Sequence, residues 1–145
     1  MTISFKYKIN SYKKGTKVKT PSIPITFFGN NPTPIEVICL LDSGADVSVI
    51  PEGLARFLDI NLKGEKEKSH GIGGDVEVIN SHVSIAVKKD HENYEFIIPV
   101  QVILGKDEIP PLLGRNGFFD KFKITFDENK ERVILKKITE RIFIF

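Results

Sequence analysis

The sequence lacks several features that would assign a protein to a class at once. It has a single cysteine, Cys39, in 145 residues, so no intrachain disulfide can form. Its first residues, MTISFKYKINSYKKG, scatter lysines where a signal peptide would carry a continuous apolar core. These two absences lead us to expect a cytoplasmic protein. No apolar run is long enough for a membrane span, and there is no short repeat or low-complexity tract.

Several motifs of enzyme chemistry are missing as well. The chain has no Gly-x-Ser-x-Gly elbow and no P-loop. His70, His82 and His91 lack both the helical spacing and the neighbouring cysteines or acids of a metal site. We therefore expect neither a metal ion nor a cofactor.

Acidic residues are absent from the start of the chain, where the first is Glu36. Six lysines lie in the first twenty residues: Lys6, Lys8, Lys13, Lys14, Lys17 and Lys19. A nucleic-acid-binding arm is one interpretation. Alternation of these lysines with Phe5, Tyr7 and Ile9 favours the solvent face of a strand instead. Because the net charge is only +2, we expect no nucleic-acid partner.

The composition, 41% hydrophobic and 28% charged, is that of an ordinary globular domain. Residues 83–87 and 96–102 alternate with a period of two, and clusters of Gly, Pro, Asn and Asp separate such segments. The pattern predicts one mostly antiparallel, all-β domain over residues 1–145. Within it we expect a lysine-rich arm at 1–20, a core at 21–136 and an apolar strand at 137–145.

Two segments depart from the strand pattern. PEGLARFLD places Pro51 ahead of a group of apolar residues, which is typical of a short helix. GRNGFFDKF predicts one or two helical turns around residues 118–122, although Gly117 weakens a helix there. The domain is therefore expected to contain one or two short helices.

The stretch LLDSGADVSVIP contains the most informative carboxylate. Residues 37–41 are apolar on both faces, which predicts a central strand that ends at Asp42. Asp, Ser and Gly are common in any tight turn, so the motif is weak by itself. Its position at the end of a buried strand makes Asp42 a candidate for general acid and base chemistry.

One isolated carboxylate would be a plain anion at neutral pH. Two carboxylates about 3 Å apart repel by about 5 kcal/mol at an effective dielectric of 20, so such a pair shares one proton. The chain contains Asp-Ser-Gly once and Asp-Thr-Gly nowhere. A second Asp42 would have to come from another copy of the chain, which predicts a homodimer.

Three patches resemble the retropepsin-like aspartic proteases, in the order in which that family has them. LLDSGADVSVIP is similar to the active-site loop, GIGGDVEV to the flap, and PPLLGRNGFFDKFKITFD to the second hydrophobic-hydrophobic-Gly segment. With the intervening strands they cover roughly residues 21 to 136. The resemblance implies an acid-protease fold, a single closed β-barrel-like domain whose active site is dimeric.

The resemblance also implies roles for the residues of the first motif. Asp42 would be the catalytic carboxylate, Ser43 would hydrogen-bond across the dimer axis, and Gly44 would present its backbone near the substrate. Ala45 and Asp46 would contact the substrate.

In the family the counterpart of Asp46 also pairs with an arginine, here Arg115. We expect a partly buried, bidentate pair. A surface ion pair of little energetic value is the alternative.

The implied flap comprises Gly71, Ile72, Gly73 and Gly74, with the glycines permitting bending and Ile72 covering the cleft. An ordinary hairpin turn explains the same glycines equally well. A dinucleotide site does not, because position 76 is valine and a strand pattern follows.

The tail RIFIF ends the chain with four apolar residues: Ile142, Phe143, Ile144 and Phe145. We expect it to pair in an intersubunit sheet, because a free apolar edge invites aggregation. Packing onto the core of its own chain is the alternative.

The sequence therefore predicts an aspartic endopeptidase that acts on extended peptide or protein substrates, without a metal, nucleic acid or membrane partner. A peptide-binding or dimerisation module of the same fold, with little or no cleavage, is the second hypothesis. A monomeric domain that docks through RIFIF is the third.

Overall fold

Alternating apolar and polar residues form strands along most of the chain, as the sequence predicts. The computed structural model describes residues 2–11, 17–71 and 74–138. In those ranges the strands are β1 Thr2–Lys6, β2 Lys8–Ser11, β3 Lys17–Thr20, β4 Ser22–Phe28, β5 Ile35–Leu41, β6 Ser48–Pro51, β7 Lys66–Gly71, β8 Gly74–Lys89, β9 Glu92–Ile103, β10 Leu112–Leu113, β11 Phe122–Asp127 and β12 Arg132–Lys137. The helical segments are α1, Glu52–Leu58, and a 3-10 turn, Phe119–Lys121.

Six strands form a closed barrel in the order β4-β5-β10-β6-β9-β8, and β4 pairs again with β8 to close it. β7 extends the sheet from β8. The pairs β5–β10 and β6–β9 are parallel and the other barrel pairs are antiparallel. With 61% strand, the prediction of an all-β, barrel-like domain is confirmed.

The first strand belongs to a second sheet, in the order β1-β12-β11. The expected continuous strand over residues 5–9 is interrupted at Tyr7, whose amide donates to Glu131 O at 2.9 Å. Ile3, Phe5 and Tyr7 are buried in the main core. The start of the expected arm is thus packed into the domain, whereas β2 and β3 pair with each other and leave Ile9 58% exposed.

The core fills the barrel with the apolar faces that the period of two predicts. The buried residues of the two longest strands include Val83, Ile85, Val87, Ile98, Val100 and Val102. Aromatic side chains extend this core below the 3-10 turn, where the ring centroids of Phe118 and Phe122 are 5.3 Å apart. This packing holds the segment after Gly114 against β9.

Both predicted helical segments are present, and the second is only a 3-10 turn. Gly117 precedes it with φ +92°, and a Cβ there would lie 2.6 Å from Pro99 Cδ. This left-handed backbone is incompatible with a longer helix starting at Gly117.

The carboxyl end of α1 is capped by the loop that follows β4. The Asn30 amide donates to Leu58 O at 2.8 Å, and Asn31 Nδ2 donates to Phe57 O at 3.1 Å. The Gly29 position has no room for a side chain, because a Cβ would lie 2.0 Å from Leu58 O. These contacts satisfy carbonyls that a helix end leaves unpaired.

None of the helices in the described ranges has the length and apolar character required to cross a membrane. Of the apolar strand expected at 137–145, Lys137 belongs to β12, and residues 139–145, which include RIFIF, lie outside the described residues. Residues 12–16 of the expected arm also lie outside them.

Candidate active site

Asp42 directly follows β5, which lies in the sheet between β4 and β10. Leu40 pairs with Leu112 and Leu41 pairs with Leu113 in parallel register. The Asp42 amide continues this ladder by donating to Leu113 O at 3.0 Å. Two neighbouring strands therefore fix the main chain of Asp42, while its side chain is half-buried at the barrel's edge.

The Asp42 carboxylate is held by the turn that follows it. Gly44 N donates to Asp42 Oδ1 at 3.0 Å, and Ala45 N donates to Asp42 O at 3.1 Å. A Cβ at Gly44 would lie 3.3 Å from Asp42 Oδ1, so glycine avoids a tight contact with the carboxylate. This turn orients one carboxylate oxygen by a backbone amide. Ser43 lies exposed at its tip.

We define the Asp42 loop as residues 42–47. A second loop, residues 114–116, is hydrogen-bonded to it. Arg115 N donates to Ala45 O at 2.9 Å, and Asn116 N donates to Asp46 O at 2.8 Å. Val47 and Asn116 add a parallel β-bridge. Consecutive backbone hydrogen bonds of this kind make the two loops one rigid unit.

Gly114 allows the two loops to approach this closely. A Cβ there would lie 2.6 Å from the carbonyl carbon of Val47 and 2.9 Å from Ala45 O. Its amide donates to the hydroxyl of Ser48 at 3.0 Å, and Ser48 is fully buried. The hydrophobic-hydrophobic-Gly pattern thus has a steric cause.

The guanidinium of Arg115 donates through Nη2 to Asp46 Oδ1. The two side chains are 61% and 81% exposed in the single chain, so the expected partial burial is wrong for this state. The pair joins the Asp42 loop to the 114–116 loop through side chains as well as backbone.

An apolar row beside Asp42 was missed by sequence reasoning. Leu112 lies opposite both Leu40 and Val49, and all three side chains are half-buried. Leu40 is two residues before Asp42, so both side chains project from the same face of the chain. Period-two alternation in VICLLD could have indicated Leu40, but strand register alone brings in the other two residues. The row gives the carboxylate an apolar floor.

The strands β7 and β8 form a hairpin in which Gly71 pairs with Gly74. Gly74 adopts φ +97°, a conformation that favours glycine. Ile72 and Gly73, two of the four residues expected in the flap, lie outside the described residues. Next to the tip, His70 Nδ1 lies 2.5 Å from Asp75 Oδ1 across the two strands, and both side chains are exposed.

The base of this hairpin adjoins α1 at a cleft of about 550 Å³. Glu52 Oε1 accepts from Gly105 N at 2.9 Å, and Glu52 Oε2 accepts from Arg56 Nε at 2.6 Å. The Gly105 amide, followed by Arg56, lowers the pKa of Glu52 below its ordinary value. In the part of the chain that is described, no group of three or more His, Cys, Asp and Glu residues could hold a metal ion.

No protein-family model and no curated protein sequence matches this chain. Solved structures do match it. A retropepsin-like aspartic protease from Rickettsia conorii aligns with a TM-score of 0.57 and 21% identity, over 93% of this chain and 98% of that one. The retroviral protease-like domain of Ddi1 from Leishmania major aligns with a TM-score of 0.51 and 14% identity, over 87% and 99% of the two chains.

The chain has the retropepsin-like fold. The resemblance that the three sequence motifs indicated is therefore confirmed at the level of fold. EIAV protease, solved in complex with the inhibitor HBY-793, is 28% identical over 73% of this chain and 88% of its own, with a TM-score of 0.44. The retropepsin-like assignment rests on the first two alignments and describes the architecture.

Proposed function

We propose that this protein is an aspartic endopeptidase that cleaves extended peptide segments as a homodimer. The observation that carries the proposal is the hydrogen bond from Gly44 N to Asp42 Oδ1, at the end of a central strand. It presents an oriented carboxylate on a rigid pair of loops beside an apolar floor. This is the preorganisation that acid and base catalysis requires.

In the proposed mechanism the two Asp42 carboxyls of a dimer share one proton and bind one water molecule. The ionised carboxylate takes a proton from the water as the water oxygen attacks the peptide carbonyl carbon. The protonated partner gives its proton to the carbonyl oxygen, which forms a neutral tetrahedral diol. The newly protonated carboxyl then donates its proton to the nitrogen while the ionised carboxylate takes a proton from a hydroxyl of the diol. The carbon–nitrogen bond breaks, and the carboxyl pair again holds one proton.

The remaining residues would position the substrate. Leu40, Val49 and Leu112 offer apolar surface for side chains next to the cleaved bond. Ala45 and Asp46 would contact its main chain, and Arg115 would support Asp46. The β7–β8 hairpin, with Gly71, Ile72, Gly73 and Gly74 at or near its tip, would close over the peptide as a flap.

Ser43 of each chain would brace the paired Asp42 loops across the dimer axis. We expect the tail from residue 141 to 145 to add an intersubunit strand. A cytoplasmic location, which rests on the sequence alone, stays a prediction.

Cleavage of a peptide library by the wild-type protein and by Asp42→Asn tests the proposal. The wild type should cleave peptides and the variant should not, while sedimentation shows a dimer for both. Asp59→Asn is a matched control, because it makes the same change at an exposed helix end where φ is 54° and Asn is tolerated. Equal cleavage by wild type and Asp42→Asn would contradict the proposal.

Mixing distinguishes a shared site from two independent sites. If each site needs two Asp42 residues, an excess of Asp42→Asn will capture wild-type chains in inactive mixed dimers. Activity per wild-type chain should then fall well below that of a sample diluted with buffer to the same wild-type concentration. Unchanged activity would mean that a single Asp42 is sufficient.

The alternative is a peptide-binding module that does not cleave. It is favoured by the fact that Gly114 and the bonds to Ala45 and Asp46 stabilise the fold whether or not catalysis occurs. Binding of peptides by wild type and Asp42→Asn, without cleavage by either, would establish that alternative.

A further inference from the structure

The strand β1 has one unpaired edge in the described part of the chain, because β12 is its only strand partner there. Ser4 O accepts a hydrogen bond from Lys89 Nζ of β8, so this carbonyl faces away from β12. Backbone groups of alternate residues point to the same side of a strand. Thr2, Ser4 and Lys6 therefore direct backbone donors and acceptors toward this open edge.

A groove of about 520 Å³ lies at this edge, and we call it the basic groove. Its lining residues are Phe5, Lys6, Lys8, Pro24, Lys88, Lys89 and Arg132. Five of the seven are cations and none is an acid. Among the described residues, none of these five cations takes part in an ion pair.

Two acids near these cations in sequence or register have other partners. Glu131, which precedes Arg132, pairs with Lys19 at 3.5 Å. Asp127, opposite Arg132 in the sheet, accepts from the Lys130 amide at 3.1 Å. Asp90 follows Lys89 and borders the groove at one end. Among the described residues, none of these acids forms an ion pair with the five cations.

Two of the cations rest on aromatic rings. Lys89 Nζ lies 5.0 Å from the centroid of Phe5, and Lys88 Nζ lies 5.5 Å from that of Phe28. Such contacts restrain the lysine side chains and leave their charge in place. Part of the conformational entropy that these lysine side chains would lose on binding a ligand is therefore already lost in the unbound protein.

A second groove, of about 400 Å³, continues along the same edge and shares Lys89 with the basic groove. It is lined by Thr2, Ile3 and Ser4 of β1 and by residues 90–92. Asp90 lies in the turn before β9, and Glu92, the first residue of β9, accepts from the Tyr94 hydroxyl at 2.7 Å. The two grooves together follow β1 from end to end.

We propose that this edge is a docking site for an extended acidic segment of another polypeptide. The segment pairs with β1 as an added strand, and its carboxylates contact Lys6, Lys88 and Arg132. Backbone pairing supplies affinity in this mode of recognition, and side chains supply selectivity. The site does not include Asp42, so the inference is independent of peptide cleavage.

Charge and burial favour a polypeptide over other occupants. Stacking of the bases of a single-stranded nucleic acid would need exposed aromatic rings, and Phe5 and Tyr7 are only 5% and 7% exposed. A second copy of β1 would place its own lysines in the groove, and like charges repel. An acidic strand would pair with both the cations and the backbone groups of Thr2 and Lys6 that face away from β12.

The test measures fluorescence anisotropy of a short labelled peptide of alternating glutamate and valine, titrated with the Asp42→Asn protein at low ionic strength. Using this variant prevents cleavage, so a failure of docking is not confused with a failure of the proposed function. We expect saturable binding that weakens as salt is added. A peptide with glutamine in place of glutamate should bind about tenfold more weakly.

Matched variants locate the site. Lys6→Gln combined with Lys88→Gln should weaken binding about tenfold, because both side chains are exposed and line the groove. Lys63→Gln combined with Lys106→Gln removes the same charge from exposed loops elsewhere and should leave binding unchanged. Circular dichroism and thermal unfolding establish that both double variants are folded.

Three results would overturn the proposal. One is equal binding of the glutamate and glutamine peptides. Another is tighter binding of single-stranded DNA of the same charge, which would assign the edge to nucleic acid. The third is equal affinity for the acidic peptide and for the same peptide with alternate amides methylated, because the methylated peptide cannot pair with β1 as an added strand.

Discussion

Gly114 and Val47 touch through their main chains, and a methyl group on Gly114 would lie 2.6 Å from the Val47 carbonyl carbon. The contact joins two loops that are distant in sequence. It fixes Asp42 relative to β10 and leaves no space between the loops for water or a side chain.

Gly114→Ala should destabilise the protein by at least about 2 kcal/mol, since overpacking here displaces backbone and not a flexible side chain. Urea unfolding measures the change. Gly64→Ala is the control, because its Cβ would lie 3.3 Å from Ile79 Cγ2, a contact that a small shift relieves. Equal stability of Gly114→Ala and the wild type would mean that the loops can separate freely.

The pair of Arg115 and Asp46 should contribute little to stability in the single chain. Both side chains are exposed, so a double-mutant cycle of Arg115→Ala and Asp46→Ala should give a coupling of about 0.2–1 kcal/mol. Added salt should reduce it. A much larger coupling in the dimeric protein than in a monomeric state would show that assembly buries the pair.

Glu52 should make stability dependent on pH in the acidic range. Its pKa is lowered by the Gly105 amide and by Arg56, so its contribution is present above the unfolded pKa and disappears as pH falls through the folded pKa. Urea unfolding at a series of pH values should show Glu52→Gln less stable than wild type near neutrality. The difference should vanish below the usual range of a glutamate; a difference independent of pH would be the contrary result.

Cys39 should be inert in the folded protein. Burial in β5 raises the pKa of its thiol far above the ordinary range, so the thiolate is disfavoured at neutral pH. Its contribution to stability is present below the unfolded pKa and is lost as pH rises through the folded value. A chromogenic disulfide reagent should label Cys39 in denaturant and react negligibly without it; rapid labelling of the native protein would show that β5 opens.

Much of the site could be predicted because its signals are local. The apolar run before Asp42 predicted a central strand, and Asp, Ser and Gly after it indicated a tight turn. The helix after Pro51 and the hairpin around the glycines are likewise encoded by short segments. In each case the residues that determine the structure are neighbours in the chain.

The rest depends on contacts between distant segments. Leu112 and Val49 join the floor beside Asp42 through strand register, which no local pattern encodes. Glu52 accepts a hydrogen bond from the amide of Gly105, which follows the end of β9 and is 53 residues away in the sequence. The burial of Phe5 against the core required the C-terminal half of the chain, and therefore the first residues could be misread as an arm.

The two-residue strand β10 also has a consequence for how the chain folds. It comes late in the sequence yet lies between β5 and β6, and the Asp42 amide donates to Leu113 O. A chain emerging from the ribosome therefore exposes the Asp42 loop well before β10 and the 114–116 loop can contact it. Contacts that link distant segments slow folding. We expect Leu113→Ala to speed unfolding more than it slows refolding in stopped-flow experiments, because the acidic site acquires its geometry only after residues 112–113 have been synthesised and have paired with β5.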